Sequence, residues 1–170
     1  MISYILAVFS GILVLVTDQL TKYYISSNFV LGQSADFLDG FIDITYIHNR
    51  GGAWGMLSGY RWLLLLITAV VMAICIAMLI RLGRKSKLLF WAIVLVLAGG
   101  VGNMIDRIFR DGSVVDFLHF EFIPSFPVFN VADCGIVIGA GLLILYFIID
   151  MYRDTKKKKL PDGEAHNENA

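Results

Sequence analysis

Two aspartates, Asp116 and Asp133, flank a stretch rich in aromatic residues and prolines in the sequence GSVVDFLHFEFIPSFPVFNVAD, residues 112–133. If their carboxyl groups converge within about 3 Å, both cannot stay ionised, and the pair shares one proton. Such a pair can hydrolyse a peptide bond, because one carboxylate takes a proton from water while the other protonates the carbonyl. A structural role stays open, since Asp133 precedes an apolar run and is typical of a helix N-cap.

Two further clusters of polar residues lie near the ends of apolar segments. In GNMIDRIF, the side chains of Asn103, Asp106 and Arg107 share one helical face, where they either serve a site or pair with other charges to pin helix ends. In TDQLTK, Asp18 and Lys22 are spaced i, i+4 and predict an ion pair. We expect Lys22 to snorkel towards the surface, whereas Asp18 lies deeper and needs a partner.

Other chemistries have weaker support. Ser113 and Ser125 lack the context of a catalytic serine, and His48 and His119 are only candidate bases. A metal site built from Asp116, His119 and Asp133 is conceivable, but the local pattern is extended and does not suit their spacing. No metal or other cofactor is therefore expected. The two cysteines, Cys75 and Cys134, lie in apolar runs and lack the spacing of a metal site or a disulfide framework. We predict that both behave as small buried hydrophobic residues.

The elements that must position these residues are membrane spans. Hydrophobic residues make up 58% of the 170 residues and charged residues only 16%, whereas a soluble domain has about 25% charged residues. The first apolar segment lacks a basic leader and a small-residue cleavage pattern, so we interpret it as a retained helix rather than a signal peptide. Four segments have the length and apolarity of spanning helices, at about 1–25, 62–80, 88–106 and 132–150.

The distribution of Lys and Arg predicts the orientation of these spans. The loop after the second span and the region after the fourth together hold nine, whereas the other two connections hold five. Both termini are therefore expected in the cytoplasm, with segments 26–60 and 107–131 outside. We predict one integral-membrane domain over 1–153 and a Lys-rich cytoplasmic tail over 154–170.

The outer segments contain strand patterns. Apolar and polar side chains alternate over Phe41–Asn49, and the glycines at 51 and 52 allow a tight turn. The sequence SVVDFLHFEFI alternates as well and can pair with the first strand. A small sheet on the outer surface is predicted. Its many aromatic side chains form either an interfacial belt or a platform for a lipid or an apolar peptide.

Five motifs, placed in order against the four spans, resemble those of the lipoprotein signal peptidases, also called signal peptidase II. The motifs are DQLTK at 18–22, HNRGGAWG at 48–55, GNMIDR at 102–107, VVDF at 114–117 and FNVAD at 129–133. The chain departs from the family pattern at Gly52, where Ala is usual, and at Trp54, where Phe is common. These differences do not touch the two aspartates.

The resemblance implies an all-α membrane protein with four transmembrane helices, a small extracytoplasmic β-sheet and a short surface helix between spans one and two. It implies an aspartic endopeptidase of the bacterial cytoplasmic membrane with its active site at the outer face. We expect the protein to be a monomer. Its partners would be membrane lipids and diacylglyceryl-modified prolipoproteins, cut before the lipidated cysteine; no nucleic acid is expected. The implied catalytic pair is Asp116 and Asp133. The implied supporting or substrate-binding residues are Asp18, Lys22, Asn49, Gly52, Trp54, Asn103, Asp106, Arg107 and Asn130.

The competing class is a non-enzymatic membrane protein such as a small transporter or channel subunit. Such a protein needs polar residues through the depth of its spans or discontinuous helices. Here the second and fourth spans are almost free of polar residues, and the unusual polar groups collect at one side of the membrane. The sequence therefore favours an enzyme.

Overall fold

The computed structural model of the chain describes residues 1–52 and 56–159. Four long helices dominate it: α1 (Ile2–Asn28), α2 (Arg61–Leu82), α3 (Lys87–Phe109) and α4 (Val131–Lys159). Each helix is long and apolar enough to cross a membrane, so the predicted class of four-span membrane protein is confirmed. Helix α4 runs past the predicted end of the fourth span and continues to Lys159, within the segment that was assigned to the tail.

Helix α3 is the centre of the bundle. In its most apolar stretch 56% of the residues are buried, against 11–17% in the other three helices. Glycines allow α3 and α4 to approach closely: a Cβ added at Gly99 would lie 2.2 Å from Ala132 O, and one added at Gly139 would lie 2.7 Å from Ala92 O. Small residues at such contacts permit dense packing inside a membrane, where apolar helices gain little from mutual burial.

Three strands form an antiparallel sheet in the order β1 (Ser34–Leu38), β2 (Ile42–Asn49) and β3 (Val114–Phe120). Both alternating segments of the sequence thus become paired strands, as predicted. The structure describes no helix of its own at 29–52 or 56–60, and the surface helix implied by the resemblance is not among the described elements. Trp54 lies outside the described residues.

The sheet packs against the end of α1. Tyr46 of β2 and two residues of β3, Val115 and Phe117, form a buried cluster with Ile25 of α1. Because side chains alternate along a strand, packing of Val115 and Phe117 on α1 turns Asp116 to the opposite face. The sheet therefore places one acidic side chain at the end of the bundle where α1 ends and α4 begins.

Candidate active site

Asp116 and Asp133 line one cavity of about 610 Å³. The two residues come from different elements, because Asp116 lies in the middle of β3 and Asp133 in the first turn of α4. The cavity also has walls from α2 and α3, and most of its lining is apolar. Its apolar lining includes Val114, Phe120, Phe126, Pro127, Val128, Phe129, Ile136, Val137 and Ile138.

The Asp116 carboxyl group is held by two side-chain amides and is only 2% exposed. Asn130 Nδ2 donates to Oδ1 at 2.6 Å, and Asn49 Nδ2 donates to Oδ2 at 2.8 Å. Burial, followed by the nearby charge of Asp133, raises the pKa of Asp116 from 3.8 to about 7. The two amide donors and the Lys22 charge oppose this increase without cancelling it. A buried carboxyl that can carry a proton near neutral pH suits acid–base catalysis.

Asp133 is part of a reciprocal capping box at the start of α4. Its backbone N–H donates to Asn130 Oδ1 at 3.0 Å, while its own Oδ2 accepts from the Asn130 N–H at 3.1 Å. The predicted N-cap role for Asp133 is therefore wrong: the cap is Asn130, and Asp133 occupies the third helical position. Because Asn130 also binds Asp116, one amide side chain joins both carboxyl groups.

Asn103 connects this pair of aspartates to the bundle. Its Nδ2 donates to Asp133 Oδ1 at 2.7 Å, and its Oδ1 accepts from Asn130 Nδ2 at 3.1 Å and from Lys22 Nζ at 3.0 Å. The prediction that Lys22 snorkels towards the surface is wrong. Its side chain is fully buried, with Nζ 2.9 Å from Asp18 Oδ2. The partners that bury Lys22 lie on α3, far along the chain, so the local spacing gave no sign of them.

Asp106 and Arg107 are adjacent in sequence, but their side chains point in different directions: Asp106 contacts other charged side chains and Arg107 lines the cavity. Asp106 forms the helix-pinning contacts left open as an alternative, since its carboxylate lies 3.2 Å from Lys22 Nζ and 3.3 Å from Arg110 Nε. Arg107 lines the cavity instead. The residue is only 9% exposed, and within the described residues its Nε has no hydrogen-bond partner. A buried donor of this kind can bind an acceptor oxygen of a ligand.

Asn49 and Gly52 both line the cavity. Asn49 Nδ2 donates to Gly52 O at 3.2 Å as well as to Asp116, and Asn49 Oδ1 accepts from the Gly51 N–H at 3.0 Å. Gly52 has a φ of 68°, a conformation that glycine adopts without strain. The turn after β2 is thereby tied to the Asp116 carboxylate.

The residues proposed for other chemistries do not meet in this cavity. Asp116 and His119 are three apart in β3, so their side chains point to opposite faces of the sheet, which contradicts the metal site built from them. In the described ranges, no group of three His, Cys, Asp or Glu residues can hold a metal ion. Ser113 Oγ lies 3.5 Å from His48 Nδ1 but donates to Arg110 O at 2.6 Å, and neither residue lines the cavity.

Some residues of the site escaped the sequence analysis. Gln19 Nε2 donates to both Asp18 Oδ2, at 3.0 Å, and Gly102 O, at 3.2 Å. Cys134 was predicted to be a buried hydrophobe, yet it is only half-buried and lines the cavity; Cys75 is buried as predicted. Thr68 of α2 also lines the cavity. A signal for Gln19 was present, because a polar residue beside Asp18 within a span needs a partner.

Comparison with known proteins agrees with this architecture. The family model for "Signal peptidase (SPase) II" matches residues 11–149. A lipoprotein signal peptidase of Bacillus pumilus (strain SAFR-032) is 46% identical over 134 residues, which cover 78% of this chain and 86% of the relative. The lipoprotein signal peptidase of Brevibacillus brevis (strain 47 / JCM 6285 / NBRC 100599) is 43% identical over 146 residues, 86% of this chain and 94% of the relative.

A solved structure of a bacterial membrane enzyme, determined by the in meso method at 2.3 Å resolution, superimposes with a TM-score of 0.80. It is 34% identical in sequence, and the match covers 92% of this chain and 93% of that structure. The match of the family model over most of the chain, together with relatives at more than 40% identity, shows that this chain belongs to the signal peptidase II family, the lipoprotein signal peptidases, which are aspartic peptidases of the membrane.

Proposed function

We propose that the chain removes signal peptides from diacylglyceryl-modified prolipoproteins by cutting before the lipidated cysteine, with Asp116 and Asp133 as its catalytic dyad. The observation that carries this proposal is the convergence of two carboxyl groups from separate elements on one largely apolar cavity. Each carboxyl oxygen of the pair accepts a hydrogen bond from an amide group of Asn49, Asn103 or Asn130. Four amide contacts fix the orientation of the dyad while leaving one side of it open to the cavity.

The proposed reaction needs one proton on the dyad. Asp133, as the carboxylate, takes a proton from a water molecule whose oxygen attacks the scissile carbonyl carbon, while Asp116 donates its proton to the carbonyl oxygen. A gem-diol forms. Asp133 then protonates the leaving amide nitrogen, Asp116 takes back a proton from one hydroxyl, and the C–N bond breaks. The raised pKa of Asp116, about 7, supports Asp116 as the first proton carrier.

Arg107 is proposed to bind an oxygen of the substrate. It is a fixed charge in the wall that also holds Asp116 and Asp133, and its Nε lacks a partner within the described residues. A guanidinium so placed can stabilise the partial negative charge that develops on the carbonyl oxygen before Asp116 completes its proton transfer. Because a low-dielectric cavity strengthens this interaction, Arg107 would act mainly on the chemical step.

The apolar walls support a lipid-modified substrate. Phe126, Pro127 and Val128, just before α4, line the cavity, and Ile136 and Val137 of α4 line it as well. Apolar walls of this length suit an acyl chain or an apolar signal helix that arrives through the bilayer, because burial of each CH₂ group contributes about 0.8 kcal/mol. A soluble, highly charged peptide would gain nothing from them.

The test is cleavage of a purified diacylglyceryl-modified prolipoprotein by the purified protein in detergent. We expect Asp116→Asn and Asp133→Asn each to lower turnover by at least about 10²-fold, the lower limit for one acid–base group. The double variant should cost little more than either single change, because the residues act as a unit. Asp111→Asn is a matched control that should keep full activity, since its side chain is 83% exposed.

Either dyad variant retaining more than about a tenth of wild-type turnover would contradict the dyad, because that loss is below the usual range for one acid–base group. A second arm uses the same prolipoprotein without its lipid. We expect no cleavage of it, and equal cleavage with and without lipid would contradict the proposed substrate class.

A further inference from the structure

The fully buried ammonium group of Lys22 has no place in the chemistry proposed above. All three of its N–H donors are used, by Asp18 Oδ2 at 2.9 Å, Asn103 Oδ1 at 3.0 Å and Asp106 Oδ2 at 3.2 Å. Lys22 does not line the cavity. A buried charge of this kind is expensive in a membrane protein and marks a functional requirement.

The two carboxylates that Lys22 holds have a feature in common. Asp18 Oδ1 accepts from the backbone N–H of Ala132 at 2.9 Å, and Asp106 Oδ2 accepts from the backbone N–H of Val115 at 3.0 Å. Ala132 immediately precedes Asp133, and Val115 immediately precedes Asp116. One ammonium group is thus two contacts away from the backbone amide of the residue that precedes each aspartate of the dyad.

These contacts join every element that carries the dyad. Asp18 and Lys22 lie on α1, and Asp106 lies on α3, whereas the two amides belong to α4 and β3. The third Lys22 contact, Asn103, donates directly to Asp133 Oδ1. A displacement of the ammonium group would therefore change the separation of Asp116 from Asp133 rather than move both together.

We propose that Lys22 is the positioning residue of the dyad: its ammonium group clamps Asp18 and Asp106, and these carboxylates fix the backbone amides that precede Asp133 and Asp116. This inference rests on the proposed dyad. It assigns Lys22 no contact with the substrate, so its loss should lower kcat and leave KM nearly unchanged. A misplacement of catalytic groups by about 1 Å can cost on the order of 10²-fold in rate.

Two variants test the proposal. Lys22→Met removes the clamp but leaves two buried carboxylates short of a partner, which can prevent folding. In Asp18→Asn/Lys22→Met one acidic and one basic group are removed together, and Asp106 keeps its contact with Arg110 at 3.3 Å. In this double variant the amide oxygen at position 18 can still accept from Ala132, so the fold has fewer reasons to fail. Lys156→Met, the same change at an exposed lysine of α4, is the control.

The expected result for the folded variants is a kcat lowered by about 10²-fold with KM changed less than about twofold, while Lys156→Met matches wild type. The pH profile adds a readout that a packing role would not move. The Lys22 charge lowers the pKa of Asp116, so Lys22→Met should shift the activity profile to higher pH, and the charge-balanced double variant should shift it less. The charged groups near the dyad are Arg107 of α3, which lines the cavity, and the cluster of Lys22 with Asp18 and Asp106; Arg110 of α3 contacts Asp106.

Three outcomes would overturn the inference. One is a folded Asp18→Asn/Lys22→Met protein whose kcat stays within about threefold of wild type, far from the loss expected for displaced groups. Another is an increase in KM at constant kcat, which would make Lys22 a substrate-binding residue. The third is failure of both variants to fold, which would make it a folding residue. Asp116→Asn, measured in parallel, reports on the dyad alone because it leaves the Lys22 contacts intact.

Discussion

The buried Asp116 carboxyl group, which we propose as a catalytic proton donor, lowers the stability of the folded protein when it ionises. Its pKa is about 7 in the folded protein and about 3.9 in an unfolded chain, so between these values the folded state binds more protons. The free energy of unfolding therefore decreases as the pH rises from about 4 to about 7. At 1.36 kcal/mol per pKa unit, the loss is on the order of 4 kcal/mol for a group that is 2% exposed.

Asp116→Asn, which we expect to be inactive, should accordingly become more stable relative to wild type as the pH rises. An amide does not ionise, so the variant does not lose stability as the pH rises. Its NH₂ group, however, faces the NH₂ donor of Asn49 or Asn130 in place of an acceptor oxygen, and this lost hydrogen bond lowers its stability at every pH. The measurement is thermal unfolding in detergent at pH 4.5 and pH 8 for both proteins. A difference in Tm between them that is the same at both pH values would contradict the buried, neutral Asp116.

The sequence predicted which polar residues gather around the cavity better than it predicted the contacts of each one. Spacing put Asn103, Asp106 and Arg107 on one face, but it did not say that Arg107 turns to the cavity while Asp106 turns to Lys22. The i, i+4 pair of Asp18 and Lys22 was predicted correctly. Its complete burial was not, because burial of Lys22 is due to partners on another helix.

At the scale of elements, apolar length and alternation predicted the four helices and two of the three strands, β2 and β3, since both patterns report which faces must avoid water. Strand β1 (Ser34–Leu38) was not predicted. The ends of the elements were less predictable. Helix α4 begins after Asn130 because a capping box forms there, and it runs to Lys159 because lysine is a good helix former that needs no apolar partner. The order of the sheet, with β2 between β1 and β3, depends on contacts distant in sequence.

The contact between α3 and α4 carries a prediction of its own. A Cβ added at Gly99 would lie 2.2 Å from Ala132 O, so Gly99→Ala must push α4 away from α3 close to Asp133. We expect a loss of about 1–3 kcal/mol in stability, typical of overpacking, together with reduced turnover. Gly141→Ala, in the same helix pair, meets nothing within 4 Å and should be neutral or gain up to about 1 kcal/mol.

Thermal unfolding in detergent and turnover of lipidated substrate check both glycine variants. Equal behaviour of the two proteins would mean that α3 and α4 can separate without consequence. The close approach at Gly99 would then have no part in positioning Asp133.

At the scale of the whole molecule, the buried polar network and the basic connection lie at opposite ends of the helical bundle. The dyad, its amides and the Lys22 cluster all lie where α1 ends and α4 begins, together with the sheet. The opposite end has the basic connection between α2 and α3, with Arg81, Arg84, Lys85 and Lys87. A net charge of zero thus conceals an asymmetric molecule, and the asymmetry bears on its orientation in the membrane.

We expect the end with the dyad to face outward and both termini to face the cytoplasm. Lys and Arg near the short cytoplasmic connections favour the cytoplasmic side, and nine of the 14 lie at or beside the α2–α3 connection and in the last turns of α4. Reporter fusions after Lys87 and after Lys159 should report the cytoplasm. A fusion at Gly40, in the exposed turn between β1 and β2, should report the outside. A cytoplasmic signal at Gly40 would place the dyad in the wrong compartment for substrates whose signal peptides have already crossed the membrane, and the proposed substrate class would fall with the orientation.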